Sequence, residues 1–246
     1  MKIYKLSLIA LFMIAGYQGS IMAGTSQQQA PAVVELFTSQ SCYSCPPAEK
    51  LLGKLIEEHP EIVALEFHVD YWDELVYGDA GKWKDRFSSP EYTLRQRQYN
   101  KTRPKGRPGV YTPQMLVNGD YTLVGSDQNR LYQAISRPFE PRASLNAQSA
   151  DDGWKISVTG ESADQVDIWL ASFLIRAETP VKAGENKDKF LVNHHVVTNM
   201  TRIGEWKSGD MEKVMPAVKN GENQGCAILL QDKRGRIMSA VYCPEA

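Results

Sequence analysis

Residues 33–58 of this 246-residue chain read VVELFTSQSCYSCPPAEKLLGKLIEE, and this stretch decides the fold class. The first six residues are mostly apolar and β-prone, so they predict a buried strand, and Ser39-Gln40-Ser41 predicts a turn after it. From Pro46 onward the apolar residues recur at helical spacing, which predicts an amphipathic helix that begins right at the cysteines. A second apolar run over residues 62–69 completes a strand-helix-strand unit, whose two strands we expect to be parallel.

The segments that follow extend this unit into an α/β domain. Residues 70–109 are too long for a plain loop, so we expect this insertion to form one or two helices packed over the sheet. Residues 112–125 contain Asn118-Gly119 between two apolar runs, which is a strong signal for an antiparallel hairpin. Ser126 or Asp127 can then cap a further helix that runs to about Arg137. The domain predicted from these elements covers residues 31–138.

The last part of the chain has a different pattern of polar and apolar residues. After Pro138 and Pro141, several segments alternate polar and apolar residues, which predicts strands with one buried face. We therefore expect residues 150–246 to form a β-rich, antiparallel C-terminal module. The predicted fold class is α/β with a helical insertion, followed by this module.

The N-terminus has the layout of a secretory signal peptide. Lys2 and Lys5 precede an apolar run over residues 6–16 that is too short to cross a bilayer, and Ala23 is a suitable last residue before cleavage. We predict a signal peptide over residues 1–23 and a secreted or periplasmic protein with no stable membrane insertion after cleavage. An uncleaved anchor or a buried helix is the alternative.

The overall charge bears on the class of partner. The formal net charge is −1 at pH 7, whereas a general nucleic-acid binder needs an excess of Lys and Arg to neutralise phosphates, so we predict no nucleic-acid partner. Residues 95–107 contain basic residues and no acidic one. This stretch is either a site for an anionic partner or a solvated helix face and loop.

Cys42 and Cys45 carry the main functional hypothesis. A Cys-x-x-Cys pair alone also occurs in zinc sites and structural bridges, but this pair lies between a strand and an amphipathic helix. A helix N-terminus favours a thiolate, so Cys42 is the predicted nucleophile with a lowered pKa, and Cys45, deeper, is the predicted resolving thiol. Glu35 shares a strand face with Val33 and Phe37, and we expect its carboxyl to be buried close to the cysteines, where it can relay a proton. The alternative for Glu35 is a hydrogen-bonded strand acid with no further role.

Cys226 and Cys243 form a second pair of cysteines near the C-terminus. If the segment between them is a hairpin that turns at Arg234-Gly235, pairing of Lys233 with Arg236 places the two cysteines opposite each other. They then occupy a non-hydrogen-bonded pair, whose short separation suits a disulfide. We predict a structural disulfide, and two free thiols are the alternative.

Histidines and aromatic residues add secondary hypotheses. His68, at the end of the second strand, is either a proton shuttle or hydrogen-bonded scaffolding. His194 and His195 point to opposite faces if they lie on a strand, so they would not readily bind one metal together. A copper or zinc site built from the first cysteine pair and one histidine or Met115 is chemically reasonable, although no further ligand pair has diagnostic spacing; we predict no cofactor. The large aromatic residues of the insertion either cover the active site or form the insertion's own core: Trp72, Trp83, Phe87 and Tyr92.

Two parts of the chain together resemble the thioredoxin superfamily. Residues 33–50 supply the strand, the cysteine pair and the start of the helix, and Thr112-Pro113 supplies a proline just before a strand. The resemblance implies a thioredoxin-like fold in which Pro113 is cis beside the disulfide and helps to dock the substrate backbone. It also implies that Thr112, which precedes the proline, tunes the pair.

Six motifs carry a closer resemblance: VVELFTSQSCYSCPPAE at 33–49, HVDYW at 68–72, KDRF at 84–87, RQR at 95–97, VYTPQM at 110–115 and GEN at 184–186. With them, nearly the whole mature chain is similar to the secreted thioredoxin-like proteins grouped as domain of unknown function 1223 (DUF1223). This resemblance implies the fold and a redox role more than a substrate. The chain departs from the family pattern at Tyr43, where a small residue is expected, and around His194 and His195.

The main functional hypothesis is an extracytoplasmic thiol–disulfide oxidoreductase. It would exchange disulfides with protein thiols or disulfides through Cys42 and Cys45, while Pro113 and Thr112 shape the docking surface. Whether it oxidises, reduces or isomerises depends on its reduction potential. Two alternatives stay open: a copper or zinc binding protein that uses the same thiols, and a non-catalytic thioredoxin-like binding module in which the pair is a structural clip.

Overall fold

The computed structural model describes residues 33–137, 143–151, 153–216 and 221–244. The predicted signal peptide over residues 1–23 lies outside these residues. Within them, no helix is long and apolar enough to cross a membrane.

The protein is a mixed α/β structure with one large sheet and few helices. A short 3₁₀ turn at Gly78–Ala80 lies in the insertion. In chain order the other elements are β1 (Val33–Thr38), α1 (Pro46–Glu58), β2 (Val63–His68), α2 (Pro90–Lys101), β3 (Lys105–Gly106), β4 (Gln114–Val117), β5 (Tyr121–Val124), α3 (Gln128–Ile135), β6 (Ala143–Ala150), β7 (Gly153–Pro180), β8 (Phe190–Ser208), β9 (Met211–Met215), β10 (Gln224–Asp232) and β11 (Ile237–Tyr242).

The strand-helix-strand unit at the start of the chain is confirmed. Strands β1 and β2 are parallel, with Val33 opposite Val63, and β4 pairs with the other edge of β1 in antiparallel direction. Every residue of β1 is buried, because the sheet is covered on both faces at this point. Helix α1 covers one face, where its Leu52 and Leu55 pack with Leu36.

The predictions for the following segments are also confirmed. The insertion over residues 70–109 contains helix α2, whose N-cap Ser89 accepts a hydrogen bond from the Glu91 N–H. Strands β4 and β5 form the hairpin, and both Asn118 and Gly119 have the positive φ that its tight turn requires. Helix α3 begins after Asp127, whose side chain caps it.

The β-rich C-terminal region continues the sheet of the N-terminal region. The sheet has the order β11-β10-β7-β8-β2-β1-β4-β5-β3, with β6 and β9 paired to β7. The junction is a parallel contact between β2 and β8, at Glu66 and Val196. One hydrophobic cluster includes Phe37 and Phe67 from the first region together with Phe173 and others from the last. The regions predicted at 31–138 and 150–246 therefore share a sheet and a core.

Cys226 and Cys243 form a disulfide in the β10–β11 hairpin. They lie opposite each other as predicted, but the turn is one residue longer, because the Asp232 N–H donates to the Arg236 carbonyl at 3.0 Å. A bulge after Leu230 restores the expected register. The pair type differs from the prediction, because the Cys243 N–H donates to the Cys226 carbonyl at 2.8 Å.

Glu35 is buried, but on the opposite face of the sheet from α1. Strand alternation places it with Val33 and Phe37, which belong to the cluster formed with α2 and the C-terminal strands. Its carboxylate accepts hydrogen bonds from Arg95 Nε at 2.8 Å and from the Tyr99 hydroxyl. The expected position close to the cysteines is therefore wrong, because the helix that follows the pair packs on the other face.

We predict that Arg95→Ala lowers the free energy of unfolding by about 3–5 kcal/mol, because the buried Glu35 carboxylate would lose its cation. Urea unfolding of the oxidised protein measures this loss. Arg97→Ala removes an exposed arginine from the same helix and should change stability by no more than about 0.5 kcal/mol. Equal effects of the two substitutions would contradict the importance of the ion pair.

Candidate functional site

Cys42 and Cys45 form a disulfide in the loop between β1 and α1. The Cys45 N–H donates to the Cys42 carbonyl at 3.1 Å, so the pair closes a tight turn. Cys45 is the N-cap residue, and Pro46 is the first residue of α1, a position where proline costs no internal hydrogen bond. Cys42 thus lies three residues before the N-cap, one turn earlier than the sequence predicted.

Both cysteines are completely buried. Cys42 and Cys45 are each 0% exposed, whereas Tyr43 between them is 65% exposed. The predicted difference in depth between the two sulfurs is therefore not observed. The connection between β7 and β8 lies against the pair; we call this connection, residues 181–189, the strap.

Asn186 joins the strap to the cysteine loop. Its amide Nδ2 donates to the carbonyls of Gln40 and Cys42, both at 2.9 Å, and its side chain is fully buried. Lys189 Nζ donates to Asn186 Oδ1 at 2.8 Å and fixes the orientation of the amide. One side chain from the C-terminal region thereby satisfies two carbonyls of the loop that holds the disulfide.

Glu185 makes a second link, beside the first. Its carboxylate accepts a hydrogen bond from the Tyr43 N–H at 2.8 Å. Lys189 Nζ lies 4.2 Å from the centroid of the Tyr43 ring, which is within the range of a cation–π contact. Two residues of the strap therefore contact Tyr43, the residue that departs from the family pattern. Glu185 binds its backbone N–H, and Lys189 packs on its ring.

Residues just before the cysteines are tied to other parts of the chain. The Gln40 side chain donates to Thr179 Oγ1 at 2.9 Å, at the end of β7, and the Gln40 N–H donates to Asp85 Oδ2 at 2.8 Å. Ser41 Oγ donates to the Trp83 carbonyl at 2.8 Å. The site is thus assembled from β1, the insertion and the C-terminal strands together.

A buried row of charged groups lies behind the cysteine loop. His68 Nδ1 lies 2.6 Å from Asp85 Oδ2, and His68 Nε2 lies 3.0 Å from Glu66 Oε1. Burial favours the neutral ring, but the two carboxylates outweigh it and raise the pKa of His68 well above its usual value. Burial would raise the pKa of Asp85, yet the His68 imidazolium and the N–H groups of Gln40 and Phe87 lower it. His68 is thus a charged, fully hydrogen-bonded group.

Glu49 is a buried carboxyl that the sequence analysis did not single out. It lies four residues after Cys45 on α1, and the Glu49 N–H donates to the Cys45 carbonyl at 3.2 Å, so both side chains share one helix face. Thr38 Oγ1 donates to its carboxylate at 2.7 Å. Burial, followed by the nearby Glu66 carboxylate, raises the pKa of Glu49 to about 8. The sequence feature that could have indicated this residue is the Cys-x-x-x-Glu spacing at the start of a predicted helix.

Pro113 lies next to the first turn of α1, and Thr112 precedes it. The peptide bond between them is cis. A Cβ added to Gly125 would lie 3.0 Å from Ala48 Cβ and 3.1 Å from Pro113 Cβ, so this glycine lets the proline loop approach the helix. Trp72 Nε1 donates to Thr112 Oγ1 at 2.8 Å. The structure therefore brings Pro113 to the α1 face of the sheet, whereas the Thr112 side chain meets Trp72, which packs on the same cluster as the Glu35 face.

The remaining candidate residues have separate environments. His194 packs on α1, where its ring would lie 2.7 Å from a Cβ added to Gly53, whereas His195 Nδ1 lies 3.0 Å from the Ala64 carbonyl. Of the four aromatic residues, Trp72 and Trp83 contact the site loops described above, Phe87 packs edge to face with the His68 ring, and Tyr92 is part of the core. Among the described residues, no group of three or more His, Cys, Asp or Glu side chains is placed to hold a metal ion.

A family model described as Protein of unknown function (DUF1223) matches residues 33–231. The chain belongs to this family. Its structure is similar to the crystal structure of a protein from Agrobacterium tumefaciens, with a TM-score of 0.71, 31% sequence identity, and coverage of 89% of this chain and 96% of that chain. No curated protein matches this chain.

Three of the six motifs that carry the DUF1223 resemblance meet around the Cys42–Cys45 disulfide. The motif at 33–49 contains the disulfide and Glu49, and the motif at 84–87 contains Asp85. The motif at 184–186 supplies Glu185 and Asn186, which contact the cysteine loop. Motifs that are far apart in the sequence therefore meet around one disulfide.

We predict that Glu49→Gln removes a pH dependence of stability from this DUF1223 protein. The pKa of Glu49 is raised from 4.5 to about 8 on folding, so its stabilising contribution is complete below pH 4.5 and is lost as the pH rises through about 8. The wild type should lose up to about 1.4 kcal/mol per pH unit from this group across that window. The glutamine variant, which is neutral at every pH, should gain stability relative to wild type from pH 5 to pH 8.

Urea unfolding of the oxidised proteins at several pH values measures this difference. Glu57→Gln, an exposed position on the same helix, is the matched control and should show a small, pH-independent difference. A difference between wild type and Glu49→Gln that does not vary with pH would contradict the raised pKa.

Proposed function

We propose that the protein is an extracytoplasmic thiol–disulfide oxidoreductase whose N-terminal region has a thioredoxin-like fold. The observation that carries this proposal is Glu49, a buried carboxyl with a pKa of about 8, one helical turn after Cys45 on the same face. A purely structural disulfide has no need of a titratable group beside it, whereas a resolving thiol needs a proton donor and acceptor near neutral pH.

The oxidising direction illustrates the chemistry. A substrate thiolate attacks the sulfur of Cys42, the bond between Cys42 and Cys45 breaks, and its electron pair leaves on the Cys45 sulfur. Protonated Glu49 gives its proton to that thiolate. A second substrate thiolate then attacks the substrate sulfur of the mixed disulfide and releases Cys42. The solvent, which took up the two protons of the substrate thiols, returns one proton to the Cys42 thiolate and one to Glu49. The two electrons and two protons lost by the substrate thereby end on the two protein thiols, and the substrate gains a disulfide. The reducing direction reverses these steps.

The remaining parts of the proposal concern location and docking. Two disulfides are typical of an oxidising compartment, which supports the secreted or periplasmic location proposed from the sequence. Protein thiols or disulfides are the proposed substrates. Pro113, beside the first turn of α1, and Thr112, bound to Trp72, are proposed to shape the surface on which the substrate backbone docks.

A second candidate function is a non-catalytic module in which the first pair is a structural clip. The complete burial of both Cys42 and Cys45 favours this alternative, because a thiolate must reach a sulfur to exchange with it. The two functions differ in the reduction potential of the pair, which is measurable.

We predict a reduction potential within the range of known exchange proteins, about −120 to −270 mV. The measurement equilibrates the Cys226→Ser/Cys243→Ser protein against glutathione and traps the thiols, so that only the Cys42–Cys45 pair titrates. Cys42→Ser in the same background is the control and should show no two-thiol transition. A potential below about −300 mV would mark the pair as a structural clip and contradict the oxidoreductase.

A further inference from the structure

We propose that the strap, residues 181–189, is a displaceable cover that blocks the Cys42–Cys45 disulfide when closed and that Asn186 holds it closed. The inference rests on the proposed function, in that an exchange reaction requires the cover to open. It assigns a regulatory role to the C-terminal region, which supplies the strap.

The first argument is steric. Thiol–disulfide exchange requires a thiolate to reach one sulfur and form a mixed disulfide with it. Cys42 is 0% exposed, and the carbonyl of Cys42 is occupied by the Asn186 amide at 2.9 Å. An external thiol therefore has no access to the Cys42 sulfur in this conformation, and the strap is bound to the backbone of the same residue.

The second argument is that the strap can move without disrupting the sheet. It has no helix or strand of its own, and the β7–β8 ladder ends at Pro180 and Phe190, before the strap begins. Its backbone closes on itself through the Val181 N–H, which donates to the Lys189 carbonyl at 2.9 Å. Movement of the strap leaves the strand pairing intact, and segments held by few contacts open most readily.

Opening must break four hydrogen bonds, the contact of Lys189 with the Tyr43 ring and the packing of Gly184 against Trp83. Asn186 Nδ2 donates two hydrogen bonds to the cysteine loop, and Glu185 accepts one from the Tyr43 N–H. The Gly184 N–H donates to the Ala80 carbonyl at 2.9 Å. Three of these four hydrogen bonds involve backbone groups of the cysteine loop, so a substrate backbone could replace them.

The third argument links the strap to the redox state. The Glu185 carboxylate is bound to the amide that directly follows Cys42. The disulfide is neutral, whereas a thiolate on Cys42 would place a second negative charge near this carboxylate, and like charges destabilise each other. Reduction of the pair should therefore shift the strap towards the open state, and closure should favour the disulfide.

The test measures how fast dithiothreitol reduces the Cys42–Cys45 pair in the Cys226→Ser/Cys243→Ser protein. Two protons and two electrons pass from dithiothreitol, which becomes its cyclic disulfide, to the two cysteines. Because only the open form reacts, the observed rate is proportional to the open fraction. Asn186→Ala should accelerate reduction by about ten-fold or more, since two hydrogen bonds of the closed state are lost.

Lys187→Ala, an exposed position on the strap, is the matched control and should react at the parent rate. Equal rates for Asn186→Ala and the parent would overturn the proposal. A second measurement uses the parent protein alone: amide hydrogen exchange of residues 181–189 should be faster after reduction of the pair. If Asn186→Ala does not fold, unchanged exchange on reduction would overturn the proposal instead.

The outcomes separate the strap from the proposed function. Accelerated reduction of Asn186→Ala combined with a potential in the structural range would retain the cover and exclude the oxidoreductase. A potential in the exchange range combined with unchanged rates would retain the oxidoreductase and exclude the cover.

Discussion

The buried carboxylate of Asp85 is the interaction on which the arrangement of the site depends. It binds the ring of His68 at the end of β2 and the backbone N–H of Gln40 in the cysteine loop. On its other side, His68 is bound to Glu66, which in turn accepts hydrogen bonds from Asn193 Nδ2 at 2.7 Å and the His194 N–H at 3.0 Å of β8. A continuous row of buried polar groups thus connects the insertion, the central strands and the C-terminal strands.

Such a row holds the structure together because each of its members needs the others. A buried charge is costly unless it is paired and its remaining hydrogen-bonding capacity is satisfied. The raised pKa of His68 means that its contribution is present below pH 6.5 and is lost as the pH rises through its folded value. The lowered pKa of Asp85 means that its contribution is present above pH 3.8 and is lost as the pH falls. The His68–Asp85 ion pair is therefore fully formed at mildly acidic to neutral pH. The contribution of Glu49 to stability has the opposite pH dependence to that of Asp85, because it is lost as the pH rises.

Local features of the fold could be predicted from the sequence, because local physics determines them. The change from strand to helical spacing of the apolar residues before and after Pro46 predicted β1 and α1. Asn118-Gly119 predicted the β4–β5 hairpin. The position of Cys226 opposite Cys243 in the hairpin was also predictable, although the longer turn and the bulge that compensates for it were not.

The position of Glu35 shows where local pattern reasoning ends. Alternation along β1 groups Glu35 with Val33 and Phe37, but it does not say which face α1 will cover. The strap was not predictable for a related reason: Asn186 and Cys42 are far apart in the sequence, and no periodicity connects them. The raised pKa of Glu49 depends first on burial and then on Glu66, which belongs to a different element. The spacing from Cys45 therefore gave the location of the group but not its chemistry.

The site combines a rigid base with a cover of a different kind. The disulfide is fixed between a fully buried strand and the N-terminus of a helix, and the groups behind it are paired and buried, so this base has little freedom to move. The contacts in front of it come from a connection without regular structure, anchored by a few side chains such as Asn186. Opening free energies are lowest in segments with few buried contacts and highest in core strands. Any exposure of the cysteines in the folded protein should therefore begin in the strap, because displacing β1 or α1 would require the row of buried charges around His68 to separate.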